Sequence, residues 1–432
     1  MRGFSFLGRL VFIVLVASWT VSRYVVGRIG TLFLRDAEAK RAAVARLRGR
    51  LLVSALATLG ATFVKLGQVM SSRPDLFEPE MIDELRRLQD RMPAFDHALV
   101  RRAIEGDLAG KVEDHFAELS REPIAAASVA QVHRGTLHDG SIVAVKVLRP
   151  NVRASAERDG AVMVFAARVL ALIPSAKRSD PVGHMEHFVR GIVEQTDLSR
   201  EAANYARFHA NFRDFAGVRF PRVHEKLSGP NVLSMEFVEG TKVDELAPGD
   251  HSALAKTLQR CYLKMCFEDG FVHADLHPGN FVVQGSEVVI FDVGLVKALD
   301  RGLLDEYIDF NKCLAMGTTA DVVHHLQTYH RYMAGAVDWP ALTRDLDVFT
   351  SSFRGKPMAE IELGKIINDV FAIGRKHGIR PRSEMALLMV AAVTSEGVAK
   401  MVNPHADSFG DIAAFLLPIL AERGLMTPGA AA

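Results

Sequence analysis

Cysteine is scarce in this chain of 432 residues. There are three, Cys261, Cys266 and Cys313, with no Cys-x-x-Cys spacing. An odd, unpatterned set cannot all pair, and it suits packing roles in a reducing cytoplasm. Charge of one sign is lacking too: 52 Lys and Arg face 51 Asp and Glu, for a net charge of +1. With no long basic tract and no basic stripe interleaved with aromatics, the reading is that nucleic acid is not a partner. Internal repeats are absent. Residues 10–22 are uncharged and mostly apolar but are bounded by Arg9 and Arg23, so the run is short for a spanning helix. Apolar residues, by contrast, are plentiful at 49%. At this length they suffice for more than one average domain and a substantial core.

Two short stretches carry most of the chemistry. Phe271-Val-His-Ala-Asp-Leu-His-Pro-Gly-Asn-Phe281 places Asp275 five positions before Asn280, in a loop entered and left by apolar residues. Val289-Ile-Phe-Asp-Val-Gly294 ends an apolar strand on Asp292 and Gly294. Phosphotransfer needs one carboxylate near the attacking oxygen, and an amide with a second carboxylate to hold magnesium against the phosphates. The Asp-to-Asn spacing matches a protein-kinase catalytic loop, and Asp-Val-Gly stands where the Asp-Phe-Gly metal ligand would stand. Asp275 is thus the candidate general base, and Asn280 and Asp292 are the candidate magnesium ligands. Taken singly, His273 or Asp292 would more often be a hydrogen-bonded structural residue. A metal hydrolase is the rival reading, because His273, Asp275 and His277 alternate as ligands sometimes do. It leaves Asn280 and Asp292 without roles and lacks a second His or Cys cluster to complete a zinc site.

A nucleotide site also needs a cation for the phosphates. Ser141-Ile-Val-Ala-Val-Lys-Val-Leu-Arg149 is apolar and β-branched around Lys146, and it follows the turn signal His138-Asp139-Gly140. Two strands joined as a hairpin are expected. Lysine at such a position resembles the Val-Ala-Ile-Lys strand of kinases, where it meets phosphates and a helix glutamate; alone, it could equally snorkel to solvent. Glycine is missing where it is most expected. In place of Gly-x-Gly-x-x-Gly the chain reads Pro123-Ile-Ala-Ala-Ala-Ser-Val-Ala-Gln-Val-His133. Alanine resists positive φ, so Ala125, Ala126 and Ala127 cannot wrap a triphosphate as closely as glycine does. Ser128 offers a hydroxyl to a phosphate or to the loop itself.

The alanine-rich loop, Val-Ala-Val-Lys, His-Ala-Asp-Leu-His-Pro-Gly-Asn and Asp-Val-Gly together resemble the UbiB family of atypical protein-kinase-like proteins. So does Lys65-Leu-Gly-Gln-Val-Met-Ser-Ser-Arg-Pro-Asp-Leu-Phe77, which is similar to that family's Lys-x-Gly-Gln signature. Leu52, Leu56, Leu59, Phe63, Leu66 and Met70 recur at helical spacing, which predicts one amphipathic helix over 55–71. Lys65 and Gln68 are neighbours on one of its faces; without the surrounding match they would be an ordinary solvated pair. The resemblance implies that this helix folds over the nucleotide pocket, in space a protein substrate would need, and that Lys65 and Gln68 approach the nucleotide. A second helix is expected over 80–90 after Pro79, with acidic residues suited to its start.

The resemblance also implies Glu201 as ion-pair partner of Lys146, because Asp197, Glu201 and Asn204 keep the family's spacing. It implies an adenine hinge in Met235-Glu-Phe-Val-Glu-Gly240, at Glu236 and Val238. One departure stands out. The family's Glu-x-Asp ends at Asp197, but here the residue two before it is Gln195 and the glutamate is Glu194. On a regular helix Glu194, Asp197 and Glu201 share a face, with Gln195 turned away by about 100°. Lys65 is then expected to be held by Glu194 or Asp197, since a lysine beside Lys146 needs an anion.

At the N-terminus a helix over 4–34 could cross a membrane only if Arg23 snorkelled or faced protein. A helix lying on or dipping into the membrane is expected ahead of a span or a secretory signal, for which no clear small-x-small cleavage site follows. Residues 35–50 are polar and net basic, in keeping with a cytoplasmic face. Beyond Asp292, helices are expected over 303–316, 320–333, 339–353, 359–376, 382–402 and 411–423. No Ala-Pro-Glu motif follows Asp292, so control by activation-loop phosphorylation is not expected. The terminal Thr-Pro-Gly-Ala-Ala-Ala is expected to be disordered.

These readings make an α+β, two-lobed protein-kinase-like fold. A membrane-associating segment covers 1–50, a Lys-x-Gly-Gln helical extension 51–120, an N-lobe 121–240 with its sheet over 123–239, and a helical C-lobe with the catalytic loop 241–425. The implied cofactors are ATP and Mg2+, for ATP hydrolysis or phosphotransfer on the cytoplasmic side of a membrane. By resemblance, the partners are membrane lipids or isoprenoid-quinone precursors, and quinone-biosynthesis proteins. Two other classes stay open. A small-molecule kinase of the aminoglycoside or choline kinase type would share the catalytic loop but not the Lys65-to-Gln68 signature. A nucleotide-binding pseudokinase scaffold would tolerate Gln195.

Overall fold

The computed structural model describes residues 2–31, 36–71, 77–88, 93–173, 181–247, 249–329, 337–353, 356 and 360–423. Its chain divides into two compact units, Met1–Ala206 with Arg222–Val238, and Arg207–Pro221 with Glu239–Ala432. Six expectations fall at least in part outside the described residues: the end of the helix read over 4–34, the stretch 72–76 of the Lys-x-Gly-Gln run, the end of the helix expected over 80–90, the end of that over 320–333, the start of that over 359–376, and the C-terminal tail.

The first unit opens with helices. α1 (Arg2–Thr31) is continuous. α2 (Ala37–Leu59) starts where the Asp36 carboxylate accepts from the Ala39 amide at 2.6 Å, a side-chain N-cap. It stops at Gly60, whose φ of 98° and ψ of −171° suit glycine alone, and α3 (Ala61–Ser71) follows. This corrects the single helix expected over 55–71. The apolar spacing runs on across the break, because Leu56, Leu59, Phe63 and Val64 pack in one cluster with Leu85, Leu88 and Met163, but the backbone does not. A Cβ at Gly67 would overlap Leu88 and Leu56, so the glycine of the Lys-x-Gly-Gln run serves this close packing. α4 (Pro79–Leu85) has proline at its first position and passes into a 3-10 turn, Arg86–Leu88, in place of one helix over 80–90.

Five antiparallel strands follow. They are β1 (Glu118–Leu119), β2 (Ala125–Ala126), β3 (Ala130–Thr136), β4 (Ile142–Leu148) and, later in the chain, β6 (Val232–Glu236). Their order is β1-β3-β4-β6, with β2 also on β3. The sheet thus begins at Glu118, ahead of the expected start. The β3–β4 hairpin pairs Val132 with Lys146, and its turn contains Gly140 at φ 85°. Val143, Val145 and Val147 alternate into a core with Val100, Ile104 and Phe116, which places Lys146 on the opposite face. Helices α5 (His97–Leu108) and α6 (Val112–His115) lie in the stretch expected as a helical extension, though neither was singled out, and α7 (Val152–Leu170) was not anticipated from the sequence. α8 (Pro181–Glu194) and α9 (Leu198–Asn211) come next.

The second unit holds a three-stranded sheet, β5 (Val218–Arg219) parallel to β9 (Glu287–Ile290), with β8 (Phe281–Gln284) antiparallel on its other side. β7 (Phe271–His273) pairs with β10 (Val296–Ala298). Around them lie α10 (Ser252–Leu263), α11 (Arg301–Met316), α12 (Thr319–Tyr329), α13 (Trp339–Ser351), α14 (Leu363–His377), α15 (Ser383–Val402) and α16 (Ser408–Glu422). Three of their starts are set by aspartate caps: Asp300, Asp338 and Asp407 accept from the amides of Leu303, Ala341 and Gly410. α15 is apolar on nearly every side because it is the buried centre of this unit. The chain leaves the first unit between Val238 and Glu239, inside the segment read as a hinge.

Candidate active site

In the first unit, Lys146 on β4 donates to both oxygens of Glu201 on α9, at 2.8 and 2.9 Å, with the two side chains 12% and 6% exposed. Two charge-assisted bonds at low exposure fix the ammonium in one place. Glu201 is placed by the start of its own helix. Asp197 accepts from the Ser199 amide at 3.1 Å, and the Leu198 amide donates to the Pro230 carbonyl at 2.8 Å.

The helix expected to run through 193–204 is broken. α8 ends at Glu194, and the Thr196 and Asp197 amides donate three residues back, to Val193 and Glu194, before α9 begins. Glu194, Asp197 and Glu201 therefore do not line one regular face. Glu194 reaches Arg200 at 3.4 Å in solvent, and Asp197 is used as a cap. Among the described residues, no hydrogen bond or ion pair joins Lys65 to either carboxylate, so the expected tether of Lys65 is not formed. The turn at 195–197 is the physical reason, since it points Glu194 to the exposed side of the following helix. Lys65 is half-buried on α3, and the Gln68 side-chain amide donates to the Leu88 carbonyl at 3.2 Å.

The alanine-rich loop is a tight hairpin. Ala125 and Ala126 pair with Val132 and Gln131, the Ala127 amide donates to the Ala130 carbonyl at 2.8 Å, and Ser128 is buried in the turn. No residue of this loop needs positive φ, which is why alanine fits. Arg149 clamps it, a role sequence reasoning missed. Its Nε donates to the Ala127 carbonyl at 2.9 Å, its backbone amide to Val129 at 2.8 Å and its Nη2 to Pro93 at 2.9 Å. Its guanidinium lies over the Phe95 ring at 5.5 Å. Beside it, Gln131 accepts from the Phe95 amide at 3.0 Å and meets His133 Nε2 at 2.9 Å, while His133 Nδ1 donates to the Ser120 carbonyl at 2.8 Å. Burial pushes the His133 imidazole below its ordinary value, which keeps it neutral. Glu236 ends β6 and accepts from the Arg222 amide at 3.3 Å, and Val238 is the last residue of this unit.

In the second unit, His273 closes β7 and is fully buried. Its Nδ1 accepts from the Asp275 amide at 3.2 Å, which leaves the proton on Nε2. Burial lowers its pKa, against the opposing pull of Asp275, Asp292 and the Asp292 backbone. Beneath the loop Phe208 stacks on Phe220 at 4.7 Å and leans on Phe271 at 4.9 Å. Asp275 itself is exposed. Asn280, buried at the end of the 3-10 turn Pro278–Asn280, donates its Nδ2 to the Asp275 carbonyl at 2.8 Å, and its own carbonyl accepts from the Phe291 amide at 2.8 Å. One residue thus joins the loop to the strand end that carries Asp292. His277 Nδ1 accepts from the Gly279 amide, so both histidines of the hydrolase reading have local structural tasks.

Asp292 adopts φ 59°, a left-handed conformation costly to a residue with a Cβ and common at functional sites. Val293, fully buried next to it, anchors the bend. The donor set suits magnesium: a carboxylate at Asp292, and at Asn280 an amide whose nitrogen is already committed, leaving its oxygen as the ligating end. Magnesium held there would neutralise phosphate charge.

Residues 87–326 match the ABC1 atypical kinase-like domain and residues 346–407 match the UbiB helical domain. "Probable protein kinase UbiB" of Pseudomonas aeruginosa (strain LESB58) is 32% identical over 396 residues, covering 87% of this chain and 72% of that protein. Its namesake in Glaesserella parasuis serovar 5 is 30% identical over 398 residues, 85% and 70% of the two chains. The solved Rv3197–erythromycin complex from Mycobacterium tuberculosis shares the fold, with a TM-score of 0.57 at 19% identity over 84% of this chain and 92% of that one. A kinase-like sheet, catalytic-loop order and helical second unit, together with these matches, establish that the chain belongs to the ABC1/UbiB family of atypical kinase-like proteins.

Proposed function

We propose that this protein binds Mg-ATP and uses it for ATP hydrolysis or phosphotransfer on the cytoplasmic side of a membrane, in support of isoprenoid-quinone (ubiquinone) biosynthesis or lipid handling. Lys146, held by Glu201, takes the nucleotide phosphates. Asn280 and Asp292 hold magnesium, and Asp275 accepts the proton of the attacking oxygen. The backbone at Glu236 and Val238 meets adenine, and the Ala125–Ser128 turn, Lys65 and Gln68 stand on the nucleotide side. The observation that carries the reading is the tie at Asn280, whose side chain and carbonyl bind the Asp275 loop to the strand end before Asp292. The name of the curated relatives supports phosphotransfer and the quinone context. The exposed apolar length of α1 supports the membrane.

The test is magnesium-dependent ATP turnover by the full chain, with and without anionic vesicles. Asp275→Asn should spare Mg-ATP binding and lower turnover by about 10²-fold or more, the scale of a lost general base. Unchanged turnover in that variant would remove Asp275 from the chemistry.

A further inference from the structure

The first unit exposes apolar side chains on two elements far apart in sequence. On α1, Val11, Val14, Trp19, Val25 and Val26 are exposed; at the end of α7 and just beyond it, so are Phe165, Val169, Leu172 and Ile173. The two patches are joined, because the Phe6 ring meets Phe165 edge-on at 6.2 Å. Nearby, Arg9 of α1 donates to both oxygens of Asp159 on α7, at 2.8 and 2.9 Å, and to the Leu59 carbonyl of α2 at 2.5 Å. Farther along α1, Arg48 of α2 lies over the Tyr24 ring at 5.9 Å, and a Cβ on Gly27 would come within 2.9 Å of Leu47. One side of α1 is therefore fastened to the folded unit from Arg9 to Gly27, and the other side is apolar and open.

A helix fastened along its length cannot cross a bilayer while the body it is packed on stays in water. It can lie in the interface with its open face among the acyl chains. The occupant is argued from composition. Within Phe6–Thr31 an 18-residue window has a mean hydropathy of 1.8 with no residue of that window buried, whereas protein–protein interfaces are on the whole about as apolar as ordinary surface. Arg9 is taken by Asp159, but α1 also carries Arg23 and Arg28 and has no acidic residue, which suits anionic headgroups. At the edge of this face a groove of about 300 Å3 between α1 and α2 sets Thr20, Arg23, Ser54 and Thr58 beside apolar groups that include Trp19 and Leu51.

We infer that α1 and the end of α7 form one in-plane docking face for an anionic lipid surface, with Phe165, Val169, Leu172 and Ile173 as a second point of insertion. This rests on the membrane reading above and adds to it the α7 contact and the in-plane orientation.

The test uses the full chain and vesicles of phosphatidylcholine with phosphatidylglycerol. Val169→Glu with Leu172→Glu should lower the partition coefficient by about tenfold or more, and so should Val14→Glu with Val25→Glu. All four side chains are exposed, so thermal unfolding should not move. An alkaline carbonate wash should release the wild-type protein. Loss of binding in the α1 pair alone would remove α7 from the face and leave the membrane reading standing. Wild-type protein that fails to sediment with vesicles would overturn both. Retention through carbonate would mean that α1 leaves α2 and spans. A wild-type dimer that either pair makes monomeric, with vesicle binding unchanged, would make the face an interface between copies and sink the inference.

Discussion

Replacing Asp292 separates backbone shape from metal chemistry, because Asp292→Asn keeps the first and weakens the second. The residue sits at φ 59°, where a side chain with a Cβ costs about 1–2 kcal/mol and Asn or Asp is the best tolerated after Gly. Its side chain is exposed, so its removal opens no cavity. Stability should therefore follow conformational tolerance. Asp292→Asn should be close to neutral, Asp292→Ala should lose about 1 kcal/mol, and Asp292→Gly should stay within about 1 kcal/mol of wild type. Affinity for Mg-ATP should follow the carboxylate instead. All three variants should weaken by more than the roughly 10–100-fold that outer-shell metal partners are worth, with Asn retaining most because it keeps one oxygen. Titration calorimetry of Mg-ATP, repeated with ATP in chelator, isolates the metal-dependent part. The chelated measurement should be unchanged or tighter, since one negative charge near the phosphates has gone. Wild-type Mg-ATP affinity in Asp292→Asn would show that the bend matters and the carboxylate does not.

Lys146→Met or Glu201→Leu alone leaves one buried charge without its partner and should cost about 3–5 kcal/mol, whereas the double variant should recover most of that; additive losses in urea titrations followed by Trp19 in a Trp339→Phe background would contradict the coupling. Gly60→Ala adds a Cβ with nothing within 4 Å, so its expected loss of about 1–3 kcal/mol is the backbone's alone, and a neutral result would show that the α2–α3 break does not need glycine. His133 has its pKa lowered from 6.5 by burial. The unfolded chain then binds the extra proton, and the stability of the first unit should be complete above pH ~6.5 and fall as pH drops through the window below it. His133→Gln should flatten that slope in denaturation titrations on both sides of the window, and an unchanged slope would place the pH dependence elsewhere.

What the residues disclose depends on how locally their partners are supplied. The helices beyond Asp292 are legible because caps and apolar spacing agree, as at Asp300, Asp338 and Asp407, whereas α10 was not anticipated. The β3–β4 hairpin is legible from its turn and its alternating valines. The break at Gly60 is not, because burial of Leu56, Leu59 and Phe63 keeps a helical rhythm through it. α7 escapes notice because half of its buried residues are small, Ala156, Gly160 and Ala167, and another is the charged Asp159, so only Val162 and Met163 carry an apolar signal. Within the site, Lys146, Glu201, Asp275, Asn280 and Asp292 stand out, since the chemistry calls for particular side chains at short or ordered spacing. Arg149 does not, because its partners are backbone carbonyls that any residue provides. Nor does Arg9, whose partner Asp159 lies 150 positions away.

The departure at Gln195 takes on a different weight once the turn at 195–197 is considered. On a continuous helix, loss of a carboxylate there would alter the field at Glu201 a turn and a half later, and with it the hold on Lys146. In the folded chain Gln195 precedes α9 altogether. The position of Glu201 depends on the Asp197 cap and on the Leu198 amide bonded to Pro230, and neither contact involves residue 195. The Lys146–Glu201 pair is consequently formed, bidentate and nearly buried, in a chain that lacks the family's glutamate. That argues against reading Gln195 as the mark of a lysine left without its anchor. Any effect of Gln195→Glu must then act on groups other than this pair, and it should leave the Lys146–Glu201 coupling energy unchanged in a double-mutant cycle.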